Sequence, residues 1–305
     1  MVEPELPIGL IAMDIDGTLV GSDLRIGQRT IEAVAEAKRR GIAVALVTGR
    51  MTSSAMPFAW TLKLAGPIVG QQGALVRAMP EPGSRGPGRL LLHRPLPRGV
   101  AEHVVRWCRA HDLVPHFNYL EWMVVASNEE RMEEYRLFVG DRLQVVPDML
   151  VRAGGRVTKI VAIGEGEHTL ELLEEARRDF AGLAGVTISH PRFLEFLAPG
   201  VSKGSAIRWL ARRLRLPLSR CLAIGDQYND LEMISEVGHG VAMPSAPEGV
   251  LAVARYIAPP VGEEGAAQMI EAIALNGWRP EAARRPRKAA AGRPSGDDGA
   301  DASYR

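Results

Sequence analysis

Two cysteines in 305 residues, Cys108 and Cys221, are too few and too isolated for a disulfide framework or a paired-cysteine metal knuckle. A reducing cytoplasm suits such a chain. No apolar run approaches the roughly 18 residues of a membrane span, and the opening MVEPELPIGLIAMDIDG carries acids where a signal peptide needs a basic stretch. The expectation is a cytoplasmic protein with no membrane partner. Net charge is lacking too: 37 Lys and Arg against 36 Asp and Glu give a formal +1, so no chain-wide basic field gathers nucleic acid. Lysine is scarce, with five against 32 arginines, so each lysine stands where the chain departs from its habit.

What is present is ample for a core. The 46% hydrophobic and 24% charged residues describe a soluble globular protein, and the length is about twice that of an average domain of ~150 residues. Basic charge concentrates in residues 279–305, which hold seven Arg or Lys and four acids, leaving 30 basic against 32 acidic residues before them. That stretch of Arg, Ala, Gly, Pro, Ser and Asp has no apolar periodicity, which predicts a disordered tail.

Short β-branched apolar runs alternate with amphipathic stretches from the start. Strands are expected near Ile8–Met13, Ile42–Val47 and Pro67–Gly70, with helices near Gly27–Arg40 and after Thr52. Runs such as IAVALV lack the polar alternation of a half-exposed sheet, so helices should cover both faces of a parallel one. The rhythm resumes with a helix over Ser202–Arg215, strands at Cys221–Ile224, Gly240–Met243 and Arg255–Ala258, and helices at Asp230–Val237, Pro247–Ala252 and Glu264–Leu275.

Between these halves, after a Pro- and Gly-rich hairpin tip at 79–89, the pattern becomes helix, strands at Val114–Asn118 and Trp122–Ser127, helix, a strand at Arg156–Ile163, helix, and strands at Val186–His190 and Phe193–Ala198. Adjacent strands without a crossover helix imply antiparallel pairing, hence an α+β insert. The expected architecture is a doubly wound, Rossmann-like α/β core from residues 1–96 and 199–278. An α+β cap is inserted at 97–198, with Ala198-Pro199-Gly200 as the return hinge.

Chemistry-bearing residues gather at the ends of the core strands, where open α/β sheets bind ligands. The first strand runs into Asp14-Ile15-Asp16-Gly17-Thr18, and period two places both carboxylates on one face, where a cation or shared proton must relieve their repulsion. A solvated strand end or the DxD of a nucleotide-sugar transferase would read the same way. The second strand ends in Thr48-Gly49-Arg50, a hydroxyl, an open backbone N–H and a cation suited to an oxyanion, though Thr-Gly is also an ordinary turn. A later strand ends in Gly225-Asp226-Gln227-Tyr228-Asn229-Asp230, where a helix N-cap explains one Asp but not both Asp226 and Asp230. Lys203 sits in the first turn of a helix capped by Ser202, where a cation costs roughly 0.3–1 kcal/mol against the helix dipole. There it could neutralise a phosphate beside the carboxylates.

Taken in order, DIDGTLV, VTGR, GVSKG and GDQYNDLEMI resemble the four motifs of the haloacid dehalogenase superfamily of phosphohydrolases. With AMPSAPEGV and GEEGAA the resemblance is to its Cof-type subgroup with a C2 cap, over residues 8–275. The resemblance implies that Asp14 is the nucleophile forming an aspartyl-phosphate and that Asp16 is the general acid and base. It also implies Mg²⁺ held by the Asp14 carboxylate, the Asp16 backbone carbonyl and Asp226, with Asn229 and Asp230 bracing that shell. Thr48, Gly49, Arg50, Lys203 and Asn229 would then meet the substrate. Two departures, Gln71-Gln72 before Gly73-Ala74 and Pro244-Ser245 after Ala242-Met243, fall near the expected rim and bear on substrate contacts.

The expected partner is a small phosphate monoester, such as a sugar phosphate. The alternative is a phosphatase specialised for phosphoglycolate or a glycosyl-phosphoglycerate. A receiver-like signalling module or a binding protein on the same scaffold would share the acids, Thr and Lys around Mg²⁺. A receiver carries its phosphorylated Asp after the third strand, where this chain has Gly70-Gln71-Gln72. Among aromatic and basic groups of the insert, His116, Tyr119, Trp122, His168 and His190 could face substrate or simply pack.

Overall fold

The structure is a computed structural model and describes residues 7–81, 86–126 and 142–277. Five parallel strands form the central sheet in the order β14-β13-β12-β1-β2: β1 Leu10–Met13, β2 Ala43–Leu46, β12 Cys221–Gly225, β13 His239–Ala242 and β14 Tyr256–Ile257. A parallel bridge from Val47 to Val69 carries the sheet onward to β3, Ile68–Gly70. That strand continues into an antiparallel meander with β4, Leu75–Arg77, and β5, Leu90–His93. β4 and β5 flank the Pro- and Gly-rich hairpin tip expected at 79–89, of which residues 82–85 lie outside the described residues.

The central strands are buried on both faces, as their uninterrupted apolar sequence requires. In β1, Ile11 and Met13 pack with the helices Gln28–Arg39, Thr52–Thr61 and Gly265–Met269, the last continuing as a π-helix over Ile270–Leu275. Leu10 and Ala12 join the opposite layer beneath the helices Lys203–Leu214, Leu231–Glu236 and Glu248–Val253. A single four-residue strand thus anchors two helical layers, which is the doubly wound arrangement.

The insert supplies a second sheet of six strands in the order β10-β11-β9-β6-β7-β8. These are β6 Val114–Tyr119, β7 Trp122–Val125, β8 Leu143–Val145, β9 Lys159–Ile163, β10 Gly185–His190 and β11 Phe193–Leu197. Phe117, Ile160, Ala162 and Phe196 face the helices Val100–Ala110 and Gly166–Asp179, which bury Val104, Val105, Cys108, Leu172, Leu173 and Ala176 against them. Residues of alternate parity, including Asn118, Lys159 and Glu195, look the other way, toward the central sheet's carboxyl edge. The adjacent strands expected to pair antiparallel do so, β6 with β7 and β10 with β11, while β8, a strand not expected, pairs with β7 in parallel. β8 and the short helix Leu150–Ala153 have too little periodic sequence to be seen in advance. The helix expected after Ser127 and the tail at 279–305 lie outside the described residues, as does Ser127 itself.

Candidate active site

β1 ends at Met13, but the alternation carries on for three residues, and Asp14 and Asp16 line the same cavity with Ile15 turned away from it. Ile15 is fully buried in the core, and Gly17 turns the chain at φ +72°. A Cβ on Gly17 would stand 2.3 Å from Asp226 Oδ2, so this close approach admits glycine alone. The two carboxylates differ in exposure: Asp14 is buried, whereas the Asp16 side chain is half exposed and forms a two-pronged ion pair with the Arg50 guanidinium, with Nε 2.7 Å from Oδ2.

Behind Asp14 lies Lys203, wholly buried in the first turn of its helix, whose Ser202 cap is reciprocated by Ser205. Its ammonium donates to Asp14 Oδ2 at 2.8 Å and to Asp230 Oδ1 at 2.7 Å. The other oxygen of Asp230 accepts the backbone N–H groups of Asp226 (3.0 Å) and Gln227 (3.2 Å), fixing the loop that follows β12. Asp226 accepts a hydrogen bond from the Thr18 hydroxyl at 2.9 Å. Burial pulls the Lys203 amine down, but Asp14 and Asp230 outweigh it and hold the group as an ammonium above its ordinary range.

One ammonium does not balance this cluster. Asp14, Asp226 and Asp230 each present an oxygen within 4.8 Å of the others. Burial, followed by the Asp230 carboxylate, raises Asp226 to about 7 against the lowering pull of Lys203 and Thr18. Burial and the neighbouring acids also push Asp14 above the carboxylate range, against Lys203. Asp14 Oδ1 is buried and has no hydrogen-bond partner. An all-oxygen group with excess negative charge and an unused ligand atom fits a hard divalent cation.

The site residues surround a cavity of about 420 Å³ between the two sheets. Asp14, Asp16, Gly17, Thr48, Gly49, Arg50, Asp226 and Asn229 line it from the core, while Lys203 and Asp230 stand behind that wall. Thr48 is buried and its hydroxyl accepts the Arg50 backbone N–H at 3.2 Å. Asn229, expected to meet substrate, lines the cavity; its Nδ2 donates to Gln72 Oε1 at 3.0 Å, and its Oδ1 has no partner. From the cap come Asn118, Met123, Ser189, His190, Phe193 and Glu195. Of the aromatic and basic groups weighed in the sequence, His190 lines the cavity. Tyr119 and Trp122 flank a separate groove, and His168 Nε2 bonds the His111 carbonyl oxygen.

Sequence reasoning missed what joins cap to core. Gln72 Nε2 donates to Glu195 Oε2 at 2.9 Å, and Lys159 Nζ reaches the same oxygen at 3.0 Å and the Gly49 carbonyl at 2.9 Å. Ser189 donates its hydroxyl to the other Glu195 oxygen. The Gln71-Gln72 departure is therefore a bridge: both residues adopt positive φ, and Gln71 Nε2 donates to the Leu120 carbonyl at 2.8 Å. The turn between β6 and β7 also inserts Glu121, whose carboxylate accepts from the Thr52 hydroxyl, the Ser53 N–H (2.9 Å) and Arg77 Nε (2.8 Å). Lysine scarcity, which singled out Lys203, applies equally to Lys159 and was the available signal.

A doubly wound sheet with acids, a lysine and an oxyanion-ready turn at its carboxyl edge, roofed by an inserted α+β cap, defines a class of phosphate-handling hydrolases. Residues 11–270 match the profile of haloacid dehalogenase-like hydrolases, and the chain belongs to that family. It is similar to an HMP-PP phosphatase of Serratia proteamaculans, with 33% identity over 238 residues covering 78% of this chain and 84% of the relative. An HMP-PP phosphatase of Escherichia coli O6:H1 is 30% identical over 240 residues, with the same coverage of both chains. A solved haloacid dehalogenase-like hydrolase from Bacteroides thetaiotaomicron superposes with a TM-score of 0.73 at 27% identity, covering 87% of this chain and 99% of that one. A subclass IIB sugar phosphatase of the superfamily shares the fold, with a TM-score of 0.74 at 22% identity over 88% of this chain and 98% of its own. The chain is a phosphatase of this family, as its motifs led us to expect. Among the described residues no helix is long and apolar enough to cross a membrane.

Proposed function

We propose that the protein is a Mg²⁺-dependent phosphatase that hydrolyses a small phosphomonoester through a phosphoryl group carried on Asp14. In this reading residues 1–96 and 199–278 form the catalytic core and 97–198 the cap. The observation that carries it is Asp14 itself, a buried carboxylate whose Oδ2 is gripped by Lys203 while Oδ1 is unpartnered at the wall of the cavity. A carboxylate held this way is a nucleophile whose approach to an anionic phosphate needs positive charge around it.

Asp14, Asp226 and the backbone carbonyl of Asp16 would hold the cation, and Asp230 keeps the loop carrying Asp226 in place. Mg²⁺ bound there supplies charge neutralisation for the phosphate and for the attacking carboxylate. The Thr48 hydroxyl, the Gly49 backbone and the Lys203 ammonium orient the phosphate so that Asp14 stands in line with the leaving oxygen. An Asp14 oxygen forms the new bond to phosphorus as the bond to the leaving oxygen breaks, and Asp16 gives that oxygen its proton. Water then attacks the same phosphorus, Asp16 takes the water's proton, and the bond to Asp14 breaks to release inorganic phosphate. Asp16, half exposed at the cavity mouth, suits a group that serves first as acid and then as base. Arg50, paired with Asp16, holds it at the cavity mouth.

The cap closes this space to a volume suited to a small metabolite rather than a polymer. HMP-PP, from the name of the relatives, and a set of sugar phosphates are the first esters to assay. Phosphate release with Mg²⁺, abolished by excess EDTA and restored by added Mg²⁺, is the expected result. Full turnover in EDTA, or none of the esters hydrolysed with Mg²⁺, would overturn the reading.

A further inference from the structure

The lower edge of the central sheet, where its strands begin, holds a second and larger space. A groove of about 1130 Å³ runs there between the two helical layers, at the opposite end of the strands from Asp14. Its charge has one sign. Arg40, Arg220 and Arg255 line it, and among the described residues that do so none is a carboxylate. Arg40 pairs with Glu36, which Arg39 shares. Arg220 donates Nε to the Pro7 carbonyl at 2.8 Å and Arg255 donates to the Gly238 carbonyl at 2.9 Å, and a carbonyl oxygen anchors a guanidinium without neutralising it. Between the arginines the groove is apolar, with Leu214, Leu216, Ile273 and Leu275 in its walls and Leu214 42% exposed. Exposed leucine beside guanidiniums fits a partner that carries acids and apolar groups together.

The chain supplies such a segment at the groove itself. It enters β1 there: Pro7, Ile8 and Gly9 line the groove, the Gly9 N–H donates to the Arg220 carbonyl at 2.9 Å, and the Gly9 carbonyl accepts from the Ala43 N–H at 3.0 Å. Residues 1–6, Met-Val-Glu-Pro-Glu-Leu, lead directly into Pro7 and lie outside the described residues. Pro4 and Pro7 bias Glu3 and Leu6, the residues before them, to extended backbone. In an extended segment Glu3 and Glu5 share one side, and Val2, Pro4 and Leu6 the other. Six extended residues reach about 20 Å. From β1 to Arg255, at the entry of β14, is three strand spacings or roughly 14 Å. The other end of the chain also leaves from this groove, at Gly277, but residues 279–305 carry seven basic groups against four acids, which the arginines repel.

We propose that residues 1–6 dock in this groove as an extended strap, with Glu3 and Glu5 on Arg220 and Arg255 and with Val2 and Leu6 on the leucines of its walls. Tethering at Pro7 makes the contact intramolecular, so weak individual pairs suffice to hold it. The strap closes the lower edge of the sheet to other anionic partners. Its distance from Asp14 makes the proposal independent of the phosphatase reading.

The test uses a glutamate-specific protease on the full chain, with loss of residues 1–5 by cleavage of the Glu5–Leu6 bond followed by intact mass. Arg255→Glu, an exposed change on a different strand from Pro7 and Gly9, should speed that cleavage by about fivefold or more, because it turns an ion pair into a repulsion. Melting temperature gives the second readout. Glu3→Gln/Glu5→Gln should lower it by roughly 2–4 °C and removal of residues 2–6 by roughly 3–6 °C. In the Arg255→Glu background the same neutralisation should leave the melting temperature unchanged or raise it, which a merely local effect of the glutamates would not do. Cleavage at the wild-type rate in Arg255→Glu, or a melting temperature that moves by less than about 1 °C when residues 2–6 are removed, would overturn the proposal. If removal of residues 280–305 produces the loss of stability and the glutamate variants do not, the tail occupies the groove and the proposal is wrong.

Discussion

Replacing Lys159 by methionine probes the strut between cap and phosphate loop. Its side chain is 5% exposed and that of Glu195 3%, and the ammonium makes two hydrogen bonds, to Glu195 Oε2 and to the Gly49 carbonyl. Breaking a buried ion pair from one side typically costs 3–5 kcal/mol, because the remaining charge stays desolvated. Gln72 and Ser189 still donate to Glu195, so the lower end, about 3 kcal/mol, is expected for Lys159→Met. In the double variant Lys159→Met/Glu195→Gln the stranded charge disappears, leaving the lost Gly49 bond at about 1 kcal/mol. The second substitution should thus restore roughly 2 kcal/mol. Urea unfolding of the wild type, both single variants and the double variant closes the cycle. A single-variant cost below about 1 kcal/mol, or a double variant no more stable than Lys159→Met, would refute the reasoning.

Further outcomes follow from the same geometry. With its carboxyl raised to about 7, Asp226 must lose a proton to bind a cation. Apparent Mg²⁺ affinity, measured by calorimetric titration, should therefore fall by at least about tenfold per unit as the pH drops below 7, and a pH-independent affinity between 5 and 7 would count against this ligand. In Gly49→Ala the new Cβ would lie 2.5 Å from Gln72 Nε2, whose amide is tied to Glu195 and Asn229 and cannot retreat freely. A loss of about 1–3 kcal/mol in thermal or urea stability is expected, together with weaker phosphate binding. Glu121→Ala strips partners from Ser53 N–H and Arg77 at once, so it should lower the melting temperature more than Glu102→Ala, whose ion pair with Arg106 is exposed.

The legible part of this molecule is what local pattern encodes. Leu10, Ile11, Ala12 and Met13 announce a strand buried on both faces, and the four motifs fall at strand or helix ends because those ends are where a parallel sheet offers N–H groups and acids to a ligand. Ser202 as a cap followed by Lys203 reads directly from sequence and is found as read. What escaped depends on distant residues meeting. Lys159 opens the otherwise apolar strand KIVAI and Glu195 sits inside FLEFL, each resembling a strand-end or surface charge until the cap lies on the core and pairs them. Gln72 looked like a loss of family character, yet with positive φ it reaches both Glu195 and Asn229. The different settings of Asp14 and Asp16 were hidden because their partners, Lys203 and Arg50, come from distant segments.

The most direct test of the account is to trap the phosphoryl group on the protein. In Asp16→Asn the first transfer from p-nitrophenyl phosphate needs little acid help, whereas water attack has lost its base, so the phosphoprotein should accumulate after a burst of phenolate. Acid quenching and peptide mass analysis should find one phosphoryl group on Asp14, and none when Asp14→Asn is added to the same chain. Label on another residue, or burst and turnover that survive Asp14→Asn, would contradict the assignment of Asp14 as the nucleophile.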